Sequence, residues 1–240
     1  MKTSYTCLTE AAQKRSKERF LVVIPAYNEE VRIRSVLAEI LSFTEDVIVV
    51  DDGSTDRTYE EAQIGTAVVL RQTVNQGKGA ALHSGFEYAR QNGFHYVITM
   101  DADGQHDPAD IPMFVDAYVR TGIPILIGNR MADLGTMPTA RRRTNIFMSW
   151  LLSRAMGRYV PDTQNGFRLY RCDVIPYVEV VSGGYAAESE ILLQASRRGL
   201  RIASVPVRTI YRDEVSSIHP VRDTFRFFGM LRRFNRARRR

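Results

Sequence analysis

The chain has few of the features that mark secreted, membrane-spanning or repeat proteins. Its 240 residues include two cysteines, Cys7 and Cys172, which are too few for a disulfide framework. No apolar stretch approaches the roughly 18 residues needed to cross a bilayer, and no apolar leader precedes the first strand-like segment. There is also no internal repeat or low-complexity linker. We therefore predict a cytoplasmic protein without a transmembrane helix, built mainly as one large globular domain.

Strand-length apolar runs alternate with amphipathic helix-length segments, the pattern of βαβ units in a mostly parallel sheet. The predicted strands lie near 20–25, 46–51, 67–72, 96–100, 125–128, 165–171 and 201–207. The predicted helices lie near 29–41, 56–64, 79–91, 108–120, 143–156 and 187–198, with a further helix at the C-terminus. We expect a polar and partly disordered arm at 1–19, a catalytic domain at 20–218 and a basic amphipathic helix or tail at 219–240.

Two of these predicted strands end in acidic turns. Asp101 and Asp103 follow an apolar run, and alternate strand residues share a face, so we predict that both carboxylates point to one side. Asp51 and Asp52 end another strand in the same way. A single acidic pair would be explained by an ordinary solvated turn. Two pairs at the carboxyl edge of a parallel sheet predict a cleft that binds Mg²⁺ or Mn²⁺ together with a phosphate.

Two other loops suit a nucleotide. Tyr27 follows the first strand and could stack on a base, and Asn28 could cap the next helix. The segment 75–79 precedes a helix, so its backbone N–H groups and Lys78 could face an anion. It lacks the spacing of a Walker motif, and its glycines are also explained by a tight turn.

Positive charge is concentrated at the C-terminus. The net charge is +6, and residues 219–240 contain eight arginines and one aspartate. Aromatic and basic residues alternate there, which suits an anionic membrane surface. The alternative is a last helix that packs its phenylalanines on the domain. Nucleic acid is not expected as a partner, because an acidic cleft repels phosphate backbones.

A second basic segment, 141–143, precedes a helix that contains Phe147 and Trp150. This segment fits a surface near lipid headgroups on the acceptor side. A solvated helix start is the alternative.

Five segments occur in the order and spacing of a known family: PAYNE at 25–29, DDGSTD at 51–56, NQGKG at 75–79, DADGQ at 101–105 and GNR at 128–130. Together they resemble the inverting family 2 glycosyltransferases. The segment DTQNGFRLY at 162–170 is similar to the dolichyl- and polyprenyl-phosphate mannosyltransferases and glucosyltransferases. The likeness covers about residues 20–228.

This resemblance implies an α/β GT-A fold, with a mostly parallel central sheet and helices on both faces. It also implies a GDP- or UDP-linked sugar as donor, Mg²⁺ or Mn²⁺ as cofactor and a polyprenyl phosphate as acceptor. Together with the loop at 75–79, it implies a donor site made of Pro25, Tyr27, Glu29, Asp52, Lys78, Asp101, Ala102, Asp103 and Arg212. The implied metal ligands are Asp103 and Gln105. The catalytic candidates are Asp101, Asp103, Arg130 and Arg212, and those on the acceptor side are Asp162, Asn165, Arg168, Glu188 and Glu190.

The chemistry follows from a metal that neutralises charge on the leaving diphosphate while a nucleophile attacks the anomeric carbon. One displacement inverts that carbon. A lipid phosphate is already ionised and needs no base, whereas a sugar hydroxyl needs one. Asp162, Glu188 or Glu190 could supply it, or they could belong to a turn and a solvated helix face.

We therefore predict a metal-dependent inverting hexosyltransferase that acts on a polyprenyl phosphate, peripheral on the cytoplasmic face of the membrane. Transfer to a sugar hydroxyl in cell-surface polysaccharide synthesis is the alternative. A non-catalytic nucleotide-sugar-binding protein is disfavoured, because the metal carboxylates are present.

Overall fold

The computed structural model describes residues 10–65, 68–132, 137, 139–177, 186–208, 210, 227–232 and 234. The strands are β1 Phe20–Ala26, β2 Val47–Asp51, β3 Val68–Arg71, β4 Tyr96–Thr99, β5 Ile125–Asn129, β6 Arg168–Arg171 and β7 Ile202–Pro206. The helices are α1 Glu10–Arg15, α2 Ile33–Leu41, α3 Thr58–Ile64, α4 Lys78–Gln91, α5 Ile111–Thr121, α6 Thr139–Met156 and α7 Ala186–Arg197. Short 3₁₀ turns span Pro108–Asp110, Arg130–Ala132 and Cys172–Tyr177. Residues 227–232 are helical as well.

The seven strands form one sheet in the order β3-β2-β1-β4-β6-β5-β7. Strands β1 to β4 pair in parallel, as do β5 and β7. Strand β6 lies antiparallel between β4 and β5. The predicted mostly parallel sheet is confirmed. The reversed strand has a consequence for the site, because β6 begins at the edge where β4 and β5 end, and the loop that leads into β6 therefore reaches the same edge.

Each face of the sheet buries its own apolar cluster, as period-two alternation along the strands requires. In β1, Val23 joins the cluster under α4 and α7, while Val22 and Ile24 join the cluster under α2 and α5. Helices therefore cover both faces, as predicted.

The helix predicted at 29–41 begins at Ile33. The N–H groups of Glu29 and Glu30 are bound by the side chains of Thr58 and Asp56, at 2.7 and 3.2 Å. This stretch is therefore a turn fixed to the next loop rather than the first turn of the helix.

The N-terminal arm contains a helix that we did not predict. Ala12 of α1 is buried, and Arg15 Nε donates to the Val119 carbonyl at the end of α5 (2.8 Å). The boundary predicted between residues 19 and 20 stays a prediction.

The terminal helix packs on the domain. Phe227, Met230 and Leu231 are buried in the cluster under α4 and α7. Packing, one of the two alternatives for the tail, is therefore seen at 227–232. Residues 235–240 lie outside the described residues. Within the described part of the chain, no helix is long and apolar enough to cross a membrane.

Candidate active site

Side chains join the loops that follow β1 and β2 at the carboxyl edge of the sheet. Asn28 adopts a left-handed backbone with φ of 55°. Its N–H donates to Ser54 Oγ (3.0 Å), and its Oδ1 accepts from the Thr55 N–H (2.9 Å). Tyr27 beside it is exposed, and Pro25 is buried. We call these two loops and the turn at 75–77 the donor-side loops; their contact with a nucleotide stays a prediction.

Asp52 holds the turn at 75–77. Its buried carboxylate accepts the N–H groups of Gln76 (2.8 Å) and Gly77 (2.7 Å). Burial raises the pKa of Asp52, and these two hydrogen bonds oppose the rise only in part. Gly53 has φ of 68°, and a Cβ there would lie 2.5 Å from the Val74 carbonyl carbon. The N–H groups of Gln76 and Gly77 thus face the Asp52 carboxylate, which agrees with the tight-turn alternative for this segment. A role of Lys78 toward a donor stays a prediction.

Lys78 bridges two carboxylates from distant parts of the chain. Its Nζ lies 2.5 Å from Asp101 Oδ1 and 3.1 Å from Glu188 Oε2 on α7. His106 Nε2 approaches the other oxygen of Asp101 at 3.3 Å. Burial alone would raise the pKa of Asp101, but Lys78 and His106 outweigh it and hold that pKa well below its usual range. Asp101 is therefore kept ionised.

Asp101 and Asp103 lie in the turn after β4, which ends at Thr99. Alternation along a strand therefore does not set their directions, contrary to our argument from the sequence. Asp103 is partly exposed, and its Oδ1 accepts the Gln105 N–H (2.9 Å). Ala102 between them is buried.

The predicted metal ligands form an incomplete site. Within the described residues, no group of three or more His, Cys, Asp or Glu side chains could hold an ion. Mg²⁺ commonly takes one or two carboxylates and completes its shell with water and substrate phosphates. The Asp103 carboxylate and the Gln105 amide therefore fit a metal that arrives with a diphosphate. Their role as ligands stays a prediction.

Arg130 and Asp162 form a buried two-pronged ion pair. Arg130 Nε donates to Asp162 Oδ2 (2.7 Å) and NH2 donates to Oδ1 (2.9 Å). Both side chains are buried, Asp162 completely. Asp162 could accept a proton only at the expense of this ion pair, in which Arg130 uses its Nε and NH2.

Arg168 and Asn165 organise the loop before β6. The fully buried Arg168 donates to the carbonyls of Asn165 (2.6 Å), Thr163 (2.8 Å) and Glu188 (2.9 Å). Asn165 is buried too, and its Nδ2 donates to the Gly128 carbonyl (3.0 Å). We predicted both on the acceptor side. Both are fully buried, and a role on the acceptor side stays a prediction. We group Arg130, Asp162, Asn165 and Arg168 as the ion-pair frame.

The backbone of this loop packs directly on Asp101. A Cβ at Gly166 would lie 2.4 Å from Asp101 Oδ2, so a side chain there would force the Asp101 carboxylate to move. Thr99 Oγ1 also donates to the Gly166 carbonyl (2.8 Å). The loop before β6 therefore forms one wall of the site.

The remaining candidates differ in their surroundings. Glu188 is buried beside Lys78, so it does not lie on a solvated helix face. Glu190 is partly exposed. Glu29 pairs with Arg32 at 3.1 Å. Arg212 lies outside the described residues. We assigned no role to His106 from the sequence. Its position three residues after Asp103 is the sequence feature that could have identified it.

The chain is similar to known proteins over most of its length. Residues 21–177 match the model of a family described as glycosyl transferase family 2. The chain is 33% identical over 212 residues to an undecaprenyl-phosphate mannosyltransferase of Micrococcus luteus, covering 81% of this chain and 85% of that protein. It is 34% identical over 189 residues to a dolichyl-phosphate hexose transferase of Haloferax volcanii, covering 78% and 80%.

Solved structures share the architecture. Glucosyl-3-phosphoglycerate synthase from Mycobacterium tuberculosis, in complex with Mn²⁺, UDP-glucose and phosphoglyceric acid, aligns with a TM-score of 0.72. The alignment covers 97% of this chain and 85% of that one, at 21% identity. This likeness shows a common fold.

Proposed function

Because this chain belongs to glycosyl transferase family 2, we propose that it transfers a hexose from a GDP- or UDP-linked sugar to a polyprenyl phosphate. The family and the GT-A fold predicted from the sequence are both confirmed. The names of the two relatives, which specify undecaprenyl phosphate and dolichyl phosphate, support this acceptor class. We propose that the reaction inverts the anomeric carbon and needs Mg²⁺ or Mn²⁺.

One observation supports a phosphate acceptor in particular. Two of the carboxylates that could act as a base, Asp162 and Glu188, are buried against Arg130 and Lys78. Taking a proton from a hydroxyl would neutralise such a carboxylate. Arg130 would then lose the carboxylate of its ion pair, or Lys78 would lose one of its two, and either loss is costly in a buried setting. A phosphate nucleophile is already ionised and requires no such step. Glu190 is the partly exposed candidate that a hydroxyl acceptor would need.

Each candidate residue would have a separate role in the reaction. Asp103 and Gln105 would hold a metal, which supplies positive charge against the departing diphosphate. Asp101, kept ionised by Lys78 and His106, would accept hydrogen bonds from donor hydroxyls. Tyr27, exposed at the donor-side loops, would stack on the base. We assign Arg212 to the donor diphosphate, because it lies in the segment after the core that resembles the pyrophosphate-binding segment of the family.

The proposed location is the cytoplasmic face of the membrane, with the arginines of 232–240 adding attraction to anionic lipids. We propose no nucleic-acid partner.

The decisive experiment offers the purified protein each of several labelled GDP- and UDP-sugars with either undecaprenyl phosphate or a soluble methyl glycoside. We expect label in the lipid fraction for one donor, loss of transfer with EDTA and recovery with Mg²⁺ or Mn²⁺. Proton NMR of the product would establish the anomeric configuration. Transfer to the glycoside alone would favour the sugar-hydroxyl alternative, and donor binding without transfer would favour a non-catalytic protein.

A further inference from the structure

The outward face of α6 is apolar. Ile146, Phe147 and Trp150 are 47%, 51% and 54% exposed, and the rings of Phe147 and Trp150 stack with centroids 6.2 Å apart. With Arg143 and Arg154 they follow the spacing i, i+3, i+4, i+7 and i+11, so all five share one side of the helix. We call these five residues the α6 outer face. Clustered apolar exposure of this kind marks an interaction surface rather than isolated surface residues.

The charges around this patch have one sign. Helix α6 contains four arginines and no acidic residue. Arg142 and Arg143 are exposed before the apolar residues, and Arg154 is exposed after them. Aromatic residues flanked by arginines on a surface helix are typical of segments that lie in the interface of an anionic bilayer. A second copy of this face would bring like charges together, which disfavours self-association.

The opposite side of α6 contacts the candidate active site. Leu152 is fully buried, and Ser149 Oγ accepts the Thr163 N–H (2.9 Å) in the loop that forms the wall beside Asp101. At the start of the helix, Arg141 NH2 donates to Gln105 Oε1 (3.0 Å). A force that orients α6 therefore orients the predicted metal ligand as well.

Residues 227–232 of the terminal helix show no equivalent cluster of exposed apolar side chains, because Phe227, Met230 and Leu231 are buried against the domain and Phe228 is the exposed one. Its arginines can add charge, but most of its described apolar side chains already have protein neighbours.

We propose that the α6 outer face docks on an anionic phospholipid bilayer, with Phe147 and Trp150 inserted among the lipid headgroups. Docking would hold the site at the depth where the phosphate of a polyprenyl phosphate lies. That purpose rests on the function proposed above, whereas docking itself does not require it.

The test uses vesicles without any substrate. Trp150 is the only tryptophan in the chain, so its fluorescence reports on this face alone. We expect a blue shift and quenching by brominated lipids with vesicles that contain phosphatidylglycerol. Phosphatidylcholine vesicles should give much less of both, and added salt should weaken the binding.

Variants separate the apolar and charged parts. Phe147→Ser with Trp150→Ser should reduce sedimentation with anionic vesicles about tenfold or more, since two aromatic side chains leave the interface. A matched control is Phe43→Ser with Ile64→Ser, which are 45% and 55% exposed on other helix ends and should bind as the native chain does. Arg142→Glu with Arg143→Glu should remove the preference for anionic lipid. Circular dichroism and the melting temperature verify that each variant is folded.

Activity distinguishes docking from chemistry. The Phe147→Ser/Trp150→Ser variant should retain turnover on a water-soluble short-chain isoprenyl phosphate and lose it on undecaprenyl phosphate in vesicles. A native chain that neither sediments with anionic vesicles nor shows a shift in Trp150 emission would overturn the docking proposal, even if lipid-linked product forms. A chain that docks but glycosylates no lipid phosphate would instead overturn the proposed function and leave docking intact.

Discussion

The donor-side loops and the ion-pair frame lie at one edge of the sheet but are held by different forces. In the donor-side loops, side-chain oxygens accept backbone N–H groups, as Asp52 does from Gln76 and Gly77. In the frame, buried guanidinium groups are held by a carboxylate or by backbone carbonyls, as in Arg130 with Asp162. A loop fixed by single hydrogen bonds can exchange them for ligand contacts at modest cost, whereas a buried ion pair cannot. The donor side is therefore the adaptable region and the frame the rigid one.

The largest effect is expected from removing half of the frame's ion pair. Asp162→Ala leaves Arg130 buried without its carboxylate and should lower the free energy of unfolding by about 3 to 5 kcal/mol. The matched variant Arg130→Met with Asp162→Asn removes both charges and keeps an amide oxygen near the Arg130 and Gln164 N–H groups, which the Asp162 carboxylate accepts. This variant should therefore lose less stability than Asp162→Ala. Urea unfolding measures both. A loss below about 1 kcal/mol for Asp162→Ala would show that the frame is not rigid in this sense.

Asp103→Ala should act on turnover rather than on stability, because the side chain is partly exposed in a turn. Loss of one group that stabilises developing charge should cost roughly 3 kcal/mol at the transition state, about a hundredfold in rate. Asp116→Ala, an exposed carboxylate on α5, is the control and should keep full activity. EDTA should reproduce the effect in the native chain. Undiminished turnover of Asp103→Ala in EDTA would refute a metal role for this residue.

Asp52→Ala should weaken the donor side by about 2 kcal/mol, the scale of two charge-assisted hydrogen bonds lost from a turn. Because the loss is local, hydrogen exchange at the Gln76 and Gly77 amides should accelerate more than exchange in β5 or β6. Asp52→Asn keeps one acceptor and should show an intermediate effect. Equal acceleration in both regions would mean that the two are not independent.

The smallest expected effects are changes in stability with pH, and they have opposite signs for Asp101 and Asp52. The pKa of Asp101 is lowered from its ordinary value of 3.8, so its stabilising contribution is present above that pH and lost as the pH falls below it. The pKa of Asp52 is raised from 3.8, so the stability it contributes is present below 3.8 and lost as the pH rises through its folded value.

Lys78→Met removes the cation beside Asp101 and should move acid unfolding to higher pH. Asp52→Asn should leave the acid unfolding of the native chain unchanged and remove only the decline in stability as the pH rises through the raised pKa of Asp52. Unfolding free energies measured across this range provide the check. An unchanged acid limb in Lys78→Met would mean that Lys78 does not control the ionisation of Asp101.

Features set by short stretches of sequence could be predicted. The strands before Asp52 and Asp101 appear as apolar runs that end in acidic turns, and both observed strands end within two residues of the predicted positions. The family followed from motifs of the same local kind. The bounds of α4 also differ by only one residue from those expected.

Pairings between distant residues could not be predicted. Lys78 and Glu188 are 110 positions apart in the sequence, and nothing near either one specifies the other. The strand predicted at 165–171 is present as β6, but its antiparallel direction was not predicted, since strand direction depends on how remote segments meet. The helical period of the apolar residues does not by itself show which side of α6 is buried. From the sequence, Phe147 and Trp150 could equally have been core residues.

Because of the contact between Gly166 and Asp101, the substitutions allowed at one of these positions depend on the residue at the other. While the carboxylate is present, a methyl group at position 166 would overlap one of its oxygens. A descendant that lost Asp101 would be released from this constraint. We therefore expect alanine or serine at position 166 mainly in relatives that lack an acidic residue at position 101, and aligned sequences would show whether the two positions change together.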